Sequence, residues 1–306
     1  MKSKTSDLRC LGSERSLRSA IDLDEKSALE IATLINAQDA TVATAVRRAL
    51  PQIARAIDLV AAGLRNGGRL FYVGAGTSGR LGALDASECP PTFNVSPSTV
   101  QYIMAGGAKA LADATEASED DEKLGRDEIK KRKPGKHDVV VGIATSGRTP
   151  FTVAAIAEAR RRGAKTIALT CNRNSPLERA AHFAIVTEVG PEVLAGSSRM
   201  KAGTAHKMVL NMISTGAMTR LGYVYGNLMV NVVPKNEKLI ERAIRILEQA
   251  TGAGHEAARS ALDTSGQRTP VALVMLAAGV TRAQAVAALK KSGGHAREAI
   301  ALAKQK

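Results

Sequence analysis

A chain of 306 residues with 44% hydrophobic content has enough apolar side chain to bury a full core in one large domain, or in one domain with a small appendage. Aromatic residues make up only 3% and tryptophan is absent, so the interior is built from Ala, Val, Ile and Leu, which suits parallel strands covered by helices and argues against a β-sandwich. The formal net charge of +14 comes mostly from scattered basic residues, with runs only at 130–133 and 160–162; without aromatics to stack on bases it argues for a field that attracts small anions and against nucleic-acid binding.

Residues 1–25 read as a polar arm, and positions 1–20 lack the apolar core of a secretory signal. Cys10, Cys89 and Cys171 are an odd number in unlike contexts, which argues against a disulfide framework and for a reducing cytoplasm. Residues 26–65 carry apolar side chains near helical spacing, among them Leu29, Ile35, Val42, Val46, Ile53, Ile57, Val60 and Leu64, with Pro51 starting a new helix and Asn66-Gly67-Gly68 ending it. Strands are predicted at 69–73, 100–104, 138–143, 166–169 and 183–186, with helical segments between most of them. Alternation of this kind predicts an α/β fold, a doubly wound parallel five-stranded sheet flanked by helices, with its ligand beyond the carboxyl ends of the strands. Long helices are expected at 200–221 and 235–249. From 251 onward short Ala-rich helices separated by Gly predict a small C-terminal helical bundle, with Thr281 and Gln284 as a capping box after Gly279. The expected division is thus an arm at 1–25, an α/β domain at 26–250 and a bundle at 251–306. The longest strongly apolar stretch, 271–280, is too short to span a bilayer, so a soluble protein with no membrane partner is expected.

Thr145-Ser146-Gly147-Arg148 repeats Thr77-Ser78-Gly79-Arg80, and each copy follows a predicted strand and precedes a helix-compatible stretch. Backbone N–H groups at such turns, the positive end of a helix dipole and hydroxyl donors all favour a phosphate, so the pair reads as a two-pronged oxyanion cradle. Its candidate ligands are Thr77, Ser78, Gly79, Ser146, Arg148 and Thr149, and Ser197, Ser198, Arg199 and Lys201 form another hydroxyl-and-cation cluster at a predicted helix start. The plainer alternative is that Ser78 and Ser146 cap the helices that follow, and that Arg80 and Arg148 are surface charges. Gly74-Ala75-Gly76-Thr77-Ser78-Gly79 fits a dinucleotide-binding pattern, but the second predicted strand runs into Ala105-Gly106-Gly107 without the acidic residue that would hold the ribose. No Walker loop or Gly-x-Ser-x-Gly elbow is present, and His137, His182, His206, His255 and His295 show no metal-ligand spacing, so no metal is expected. Carboxylates remain for proton transfer. Glu88 precedes Cys89-Pro90-Pro91, and proline disfavours helix in the residue before it, so this segment is expected to leave its helix in an extended path near the first turn. Glu116 and Glu119 lie in an acidic run, 116–122, whose default reading is a solvated helix start, and spacing does not choose between them.

Gly74-Ala75-Gly76-Thr77-Ser78-Gly79-Arg80-Leu81-Gly82, continuing into Asp85-Ala86-Ser87-Glu88-Cys89-Pro90-Pro91-Thr92-Phe93, resembles the signature of the N-acetylmuramic acid 6-phosphate etherases, which carry a sugar isomerase (SIS) domain. Blocks at 142–150, 196–205 and 226–232 extend the resemblance to nearly the whole chain, about 23–294. The resemblance implies the SIS fold, and cleavage of the D-lactyl ether of N-acetylmuramic acid 6-phosphate by water in cell-wall amino sugar recycling. It further implies no metal or organic cofactor, a homodimer with its site near the subunit interface, and catalysis by Glu88, as acid for the leaving lactate, and Glu119, as base at C2. Near the N-terminus Ser13-Glu14 matches, but Leu17 stands where an asparagine is expected. The rival readings are a sugar-phosphate sensor resembling the glucokinase regulatory protein, and an aldose–ketose isomerase. A single SIS domain with both glutamates favours the etherase over the sensor, and the Glu88 block favours ether cleavage over isomerisation.

Overall fold

The computed structural model describes residues 11–113, 116–234 and 236–305, without the side chain of Glu116; Cys10 and the first residue of the helix expected at 235–249 lie outside them. Five strands, β1 (Leu70–Gly74), β2 (Val100–Met104), β3 (Val139–Ile143), β4 (Lys165–Thr170) and β5 (Phe183–Val186), form one parallel sheet in the order β2-β1-β3-β4-β5. Each lies within one residue of its predicted bounds. β1 and β3 are buried along their whole length, which is why they read as unbroken apolar runs and not as alternating ones.

The helical stretch expected at 26–65 is three helices: α1 (Ala28–Asp39), α2 (Val42–Arg47) and α3 (Leu50–Arg65). Thr41 Oγ1 donates to the Gln38 carbonyl at 2.7 Å at the first break, and Pro51 falls in the first turn of α3, the one place where its missing N–H costs a helix nothing. α4 (Gly76–Phe93) follows β1. It corrects the expectation that Glu88 leaves the helix, because Pro90 and Pro91 lie inside it. The helix tolerates them since they fall near its end, where the Asn94 N–H still donates to the Pro90 carbonyl at 2.9 Å and Cys89 and Phe93 gain burial. Asn94, at φ 54°, then ends the run in the left-handed region.

Two compact units emerge: residues Met1–Ser87 with Ser98–Ser214, and Glu88–Pro97 with Thr215–Lys306. In the first, α5 (Glu116–Glu119), α6 (Glu122–Arg132), α7 (Pro150–Arg161), α8 (Pro176–Ala180) and most of α9 (Lys201–Arg220) surround the sheet. Ile129, Phe151, Ile156 and Leu177 pack against Phe71, Val73 and Val140 in one core cluster. Asp85 of α4 accepts from Tyr72 Oη of β1 at 2.8 Å, and from Asn211 Nδ2 at 2.7 Å and Ser214 Oγ at 3.1 Å on α9. One buried carboxylate thereby joins a strand and two helices.

The second unit holds α10 (Glu237–Thr251), α11 (His255–Thr264), α12 (Thr269–Ala278), α13 (Arg282–Lys291) and α14 (Ala296–Lys304). Its core joins Ile244 and Leu247 of α10 to Leu262, Leu273, Val274, Leu289 and Ile300. α10, which the sequence places in the sheet domain, is therefore part of this bundle, because its apolar stripe is buried there. Thr281 and Gln284 form the expected capping box of α13. No single helix among the described residues is long and apolar enough to cross a membrane.

Candidate active site

In the order β2-β1-β3 the sheet reverses its direction of growth between β1 and β3, and both Thr-Ser-Gly-Arg segments leave the carboxyl ends of those two strands. In open α/β sheets this switch point is where ligands sit.

The first segment is the opening turn of α4. A Cβ on Gly74 would lie 2.9 Å from the Gly79 nitrogen, and one on Gly79 would lie 2.8 Å from the Gly74 oxygen, so only glycine lets the helix begin directly on the strand end. The first N–H groups of α4 have no intrahelical acceptors and face outward with the positive end of the dipole. The second segment is a loop before α7. Gly147 is at φ 67° and donates to the Ala144 carbonyl at 3.0 Å, while Ser146 Oγ accepts from the Arg148 N–H at 3.2 Å. The Thr145 carbonyl is fixed by Asn172 Nδ2 at 2.9 Å, Thr170 Oγ1 at 3.1 Å and the Cys171 N–H at 3.0 Å. Neither serine is a helix cap: Ser78 lies within the first turn of α4, and the N-cap of α7 is Thr149.

Between the segments is a cavity of about 350 Å³ that brings together Thr77, Ser78, Ser146, Thr149 and Ser198 with Glu119. Of the described side chains of the acidic run, Glu119 lines the cavity. Asp121 caps α6 by accepting from the Leu124 N–H at 2.9 Å, and Glu122 pairs with Arg126 at 3.0 Å, so these two are the solvated helix start. Glu119 Oε1 instead lies 3.0 Å from the point where a Cβ on Gly76 would be, over the first turn of α4. Arg80 also lines the cavity, but its guanidinium donates to the carbonyls of Ala110 and Leu111, each at 3.0 Å, and of Asp113 at 3.4 Å. It is neither a surface charge nor a spare cation. It ties down the turn that leads towards Glu119.

Gly79, Arg148, Ser197 and Lys201 are not among the described residues lining this cavity. Lys201 is 2% exposed and its Nζ donates to Gln38 Oε1 of α1 at 2.8 Å; burial pushes its pKa down, opposed by the charges of Glu192 and Asp39. The helix start that sequence offers to an anion is occupied by Glu192, whose two carboxylate oxygens accept from the N–H groups of Lys201 at 3.0 Å and Ala202 at 2.9 Å. Glu88 is exposed, belongs to the second unit and lines a different cavity of about 550 Å³ with Pro90, Pro91, Met229, Val232 and Arg242. Behind the cradle, His206 is fully buried with Nε2 3.6 Å from Cys171 Sγ, and burial holds the imidazole at about 4 and lifts the thiol to about 12. Both are neutral near pH 7, which fits His206 as a core residue. No group of three or more His, Cys, Asp or Glu among the described residues is arranged to hold a metal ion.

Glu14, Thr145 and Gly196 fall in segments that the sequence singles out without naming them as ligands, and all three line the cavity; Asn172, which orients Thr145, was passed over. A signal for Asn172 existed, since it follows β4 at the same carboxyl edge as the two repeats.

Residues 133–215 match the SIS domain family, and residues 52–160 match the glucokinase regulatory protein N-terminal SIS domain. An N-acetylmuramic acid 6-phosphate etherase from Symbiobacterium thermophilum is 56% identical over 90% of this chain and 91% of its own. N-acetylmuramic acid 6-phosphate etherase 1 from Bacillus licheniformis is 47% identical over 98% of both chains, and the etherase from Aeromonas hydrophila subsp. hydrophila is 49% identical over 95% of this chain and 97% of its own. Identity at this level over nearly the full length places the chain in the N-acetylmuramic acid 6-phosphate etherase family.

Proposed function

We propose that this chain cleaves the D-lactyl ether of N-acetylmuramic acid 6-phosphate with water, giving N-acetylglucosamine 6-phosphate and D-lactate, in the recycling of cell-wall amino sugars in the cytoplasm. The observation that carries this reading is a carboxylate, Glu119, set over the first turn of α4 in a cavity lined by hydroxyls of the two repeated segments. Thr77, Ser78, Ser146, Thr149 and Ser198 supply donors to the phosphate and the sugar, with the dipole of α4 adding to the field. Opening of the pyranose exposes the C1 aldehyde, which acidifies the C2 proton. Glu119 removes that proton, the C3–O bond breaks, and the lactyl oxygen leaves with a proton from Glu88. Water then adds at C3 of the unsaturated aldehyde and a proton returns to C2, so the sum is one ether and one water to two products. These steps are proton transfers and an addition, which a carboxylate pair can supply without a metal or organic cofactor.

The role of Glu88 rests on the match of its Glu-Cys-Pro-Pro block to the family and not on the cradle cavity. A homodimer fits the surface: α1 is a 12-residue helix with no buried residue, and Ile21 and Leu29 are 73% and 77% exposed. A helix of that length gains its stability from packing against a neighbour. The test is to mix purified protein with N-acetylmuramic acid 6-phosphate and measure D-lactate, with Glu88→Ala and Glu119→Ala alongside. Each variant is expected to lose about 10²- to 10⁴-fold in rate. Equal lactate from all three proteins overturns the assignment.

A further inference from the structure

The N-terminal arm reaches the cradle. Residues Gly12–Glu14 form a 3-10 turn in which Ser13 is buried, as is Leu11 just before it, and Glu14 lines the same cavity as Glu119. A continuous relay holds it there. Asn172 Nδ2 donates both to the Thr145 carbonyl at 2.9 Å and to Ser13 Oγ at 3.0 Å, and Ser13 Oγ donates to Glu14 Oε1 at 3.1 Å. The loop that forms the second prong of the cradle therefore also sets the position of the Glu14 carboxylate. Its other oxygen, Oε2, lies 3.9 Å from where a Cβ on Gly196 would be, at the third cavity wall.

A carboxylate offers only acceptors, and it repels a phosphate. Glu14 is thus matched to a part of the ligand that is neutral and donates, whereas the hydroxyls that line the cavity, Thr77, Ser78, Ser146, Thr149 and Ser198, are matched to the anionic part. A hexose phosphate has both parts. We infer that Glu14 is a substrate-binding, specificity-determining residue that accepts a charge-assisted hydrogen bond from a hydroxyl or amide N–H of the sugar, so that the site distinguishes an amino sugar phosphate from bare phosphate. This rests on the reading of the cavity as the sugar-phosphate site. Anchoring through Ser13 leaves the arm's contact independent of Leu17, the position where the expected asparagine is missing.

The experiment measures binding of N-acetylglucosamine 6-phosphate, glucose 6-phosphate and inorganic phosphate to the full-length protein by calorimetry, for wild type, Glu14→Ala and Glu14→Gln. Glu14 is exposed, so neither variant removes core packing. Glu14→Ala is expected to weaken sugar-phosphate binding by about 10- to 100-fold while inorganic phosphate stays within about 2-fold, and Glu14→Gln, which keeps a neutral acceptor, loses less than Ala. Weakening for both sugars assigns the contact to a hydroxyl, and weakening for N-acetylglucosamine 6-phosphate alone assigns it to the amide; either supports the inference. Sugar phosphates bound by Glu14→Ala as tightly as by wild type overturn it, as does an equal loss for inorganic phosphate, which would make the arm a mere wall of the cradle. Wild-type protein that binds none of the ligands refutes the site itself, an outcome distinct from the failure of Glu14 alone.

Discussion

Glu119 Oε1 lies 3.0 Å from the position of a Cβ on Gly76, and Gly76 itself is at φ 50°. The carboxylate thus covers a backbone position that strongly favours glycine. Gly76→Ala both strains the left-handed backbone and pushes on Glu119, and displacement of a reacting group by a fraction of an ångström to 1 Å is costly. The expected result is a fall in kcat/KM of about 10- to 100-fold with a stability loss of about 1–2 kcal/mol, checked by lactate release and thermal unfolding.

Arg80 holds the turn before Glu119 through the carbonyls of Ala110, Leu111 and Asp113. A positioning residue and a phosphate ligand differ in what their loss does. Arg80→Ala is expected to lower kcat while inhibition by inorganic phosphate stays within about 3-fold, since bonds from a charged donor to the turn are lost but the cradle donors remain. A rise in KM with unchanged kcat, together with loss of phosphate inhibition, would make Arg80 a direct ligand.

Much of this architecture was legible in the chain, and the remainder was hidden for identifiable reasons. The five strands could be read because buried parallel strands are short apolar runs, and the Thr281–Gln284 box because a capping box is local. Spacing does not choose between Glu116 and Glu119, and only the family resemblance points to Glu119; the structure adds that Glu119 lines the cavity while Asp121 and Glu122 serve α6 and Arg126. Lys201 looked available to an anion because the residues that engage its backbone and side chain, Glu192 and Gln38, lie 9 and 163 positions away. The anchor of the arm, Ser13 to Asn172, spans 159 positions and leaves no periodic trace. Pro90 and Pro91 misled by a local rule, which burial of Cys89 and Phe93 overrode.

Asp85 accepts from Tyr72, Asn211 and Ser214 in a buried setting. Asp85→Ala removes the acceptor that these donors share, and a buried donor left unsatisfied costs about 1–3 kcal/mol. The expected loss in stability is about 3 kcal/mol or more, with Asp85→Asn intermediate because it keeps one oxygen. Urea unfolding of the two variants checks the order, and a Asp85→Ala protein as stable as wild type would remove the network from the fold's support.

His206 supplies a pH signature. Burial lowers its pKa from 6.5 to about 4, so between these values the unfolded chain binds a proton that the folded chain does not. Stability therefore rises with pH across this window, is fully present above about 6.5 and is lost as pH falls towards about 4, by an amount on the order of 3 kcal/mol. His206→Gln is expected to flatten the profile from pH 6.5 to 4 whatever its effect on absolute stability, as read from urea midpoints. An unchanged slope in that variant would assign the acid limb to other groups.

The central claim, that a carboxylate in the twin-turn cavity takes the proton from C2 of a phosphorylated amino sugar, is tested most directly by running the reaction in D₂O and examining C2 of the N-acetylglucosamine 6-phosphate formed. The account predicts deuterium at C2 in the wild-type product, with both lactate release and C2 exchange abolished in Glu119→Gln. Product that keeps its original proton at C2, or full exchange by Glu119→Gln, would contradict it.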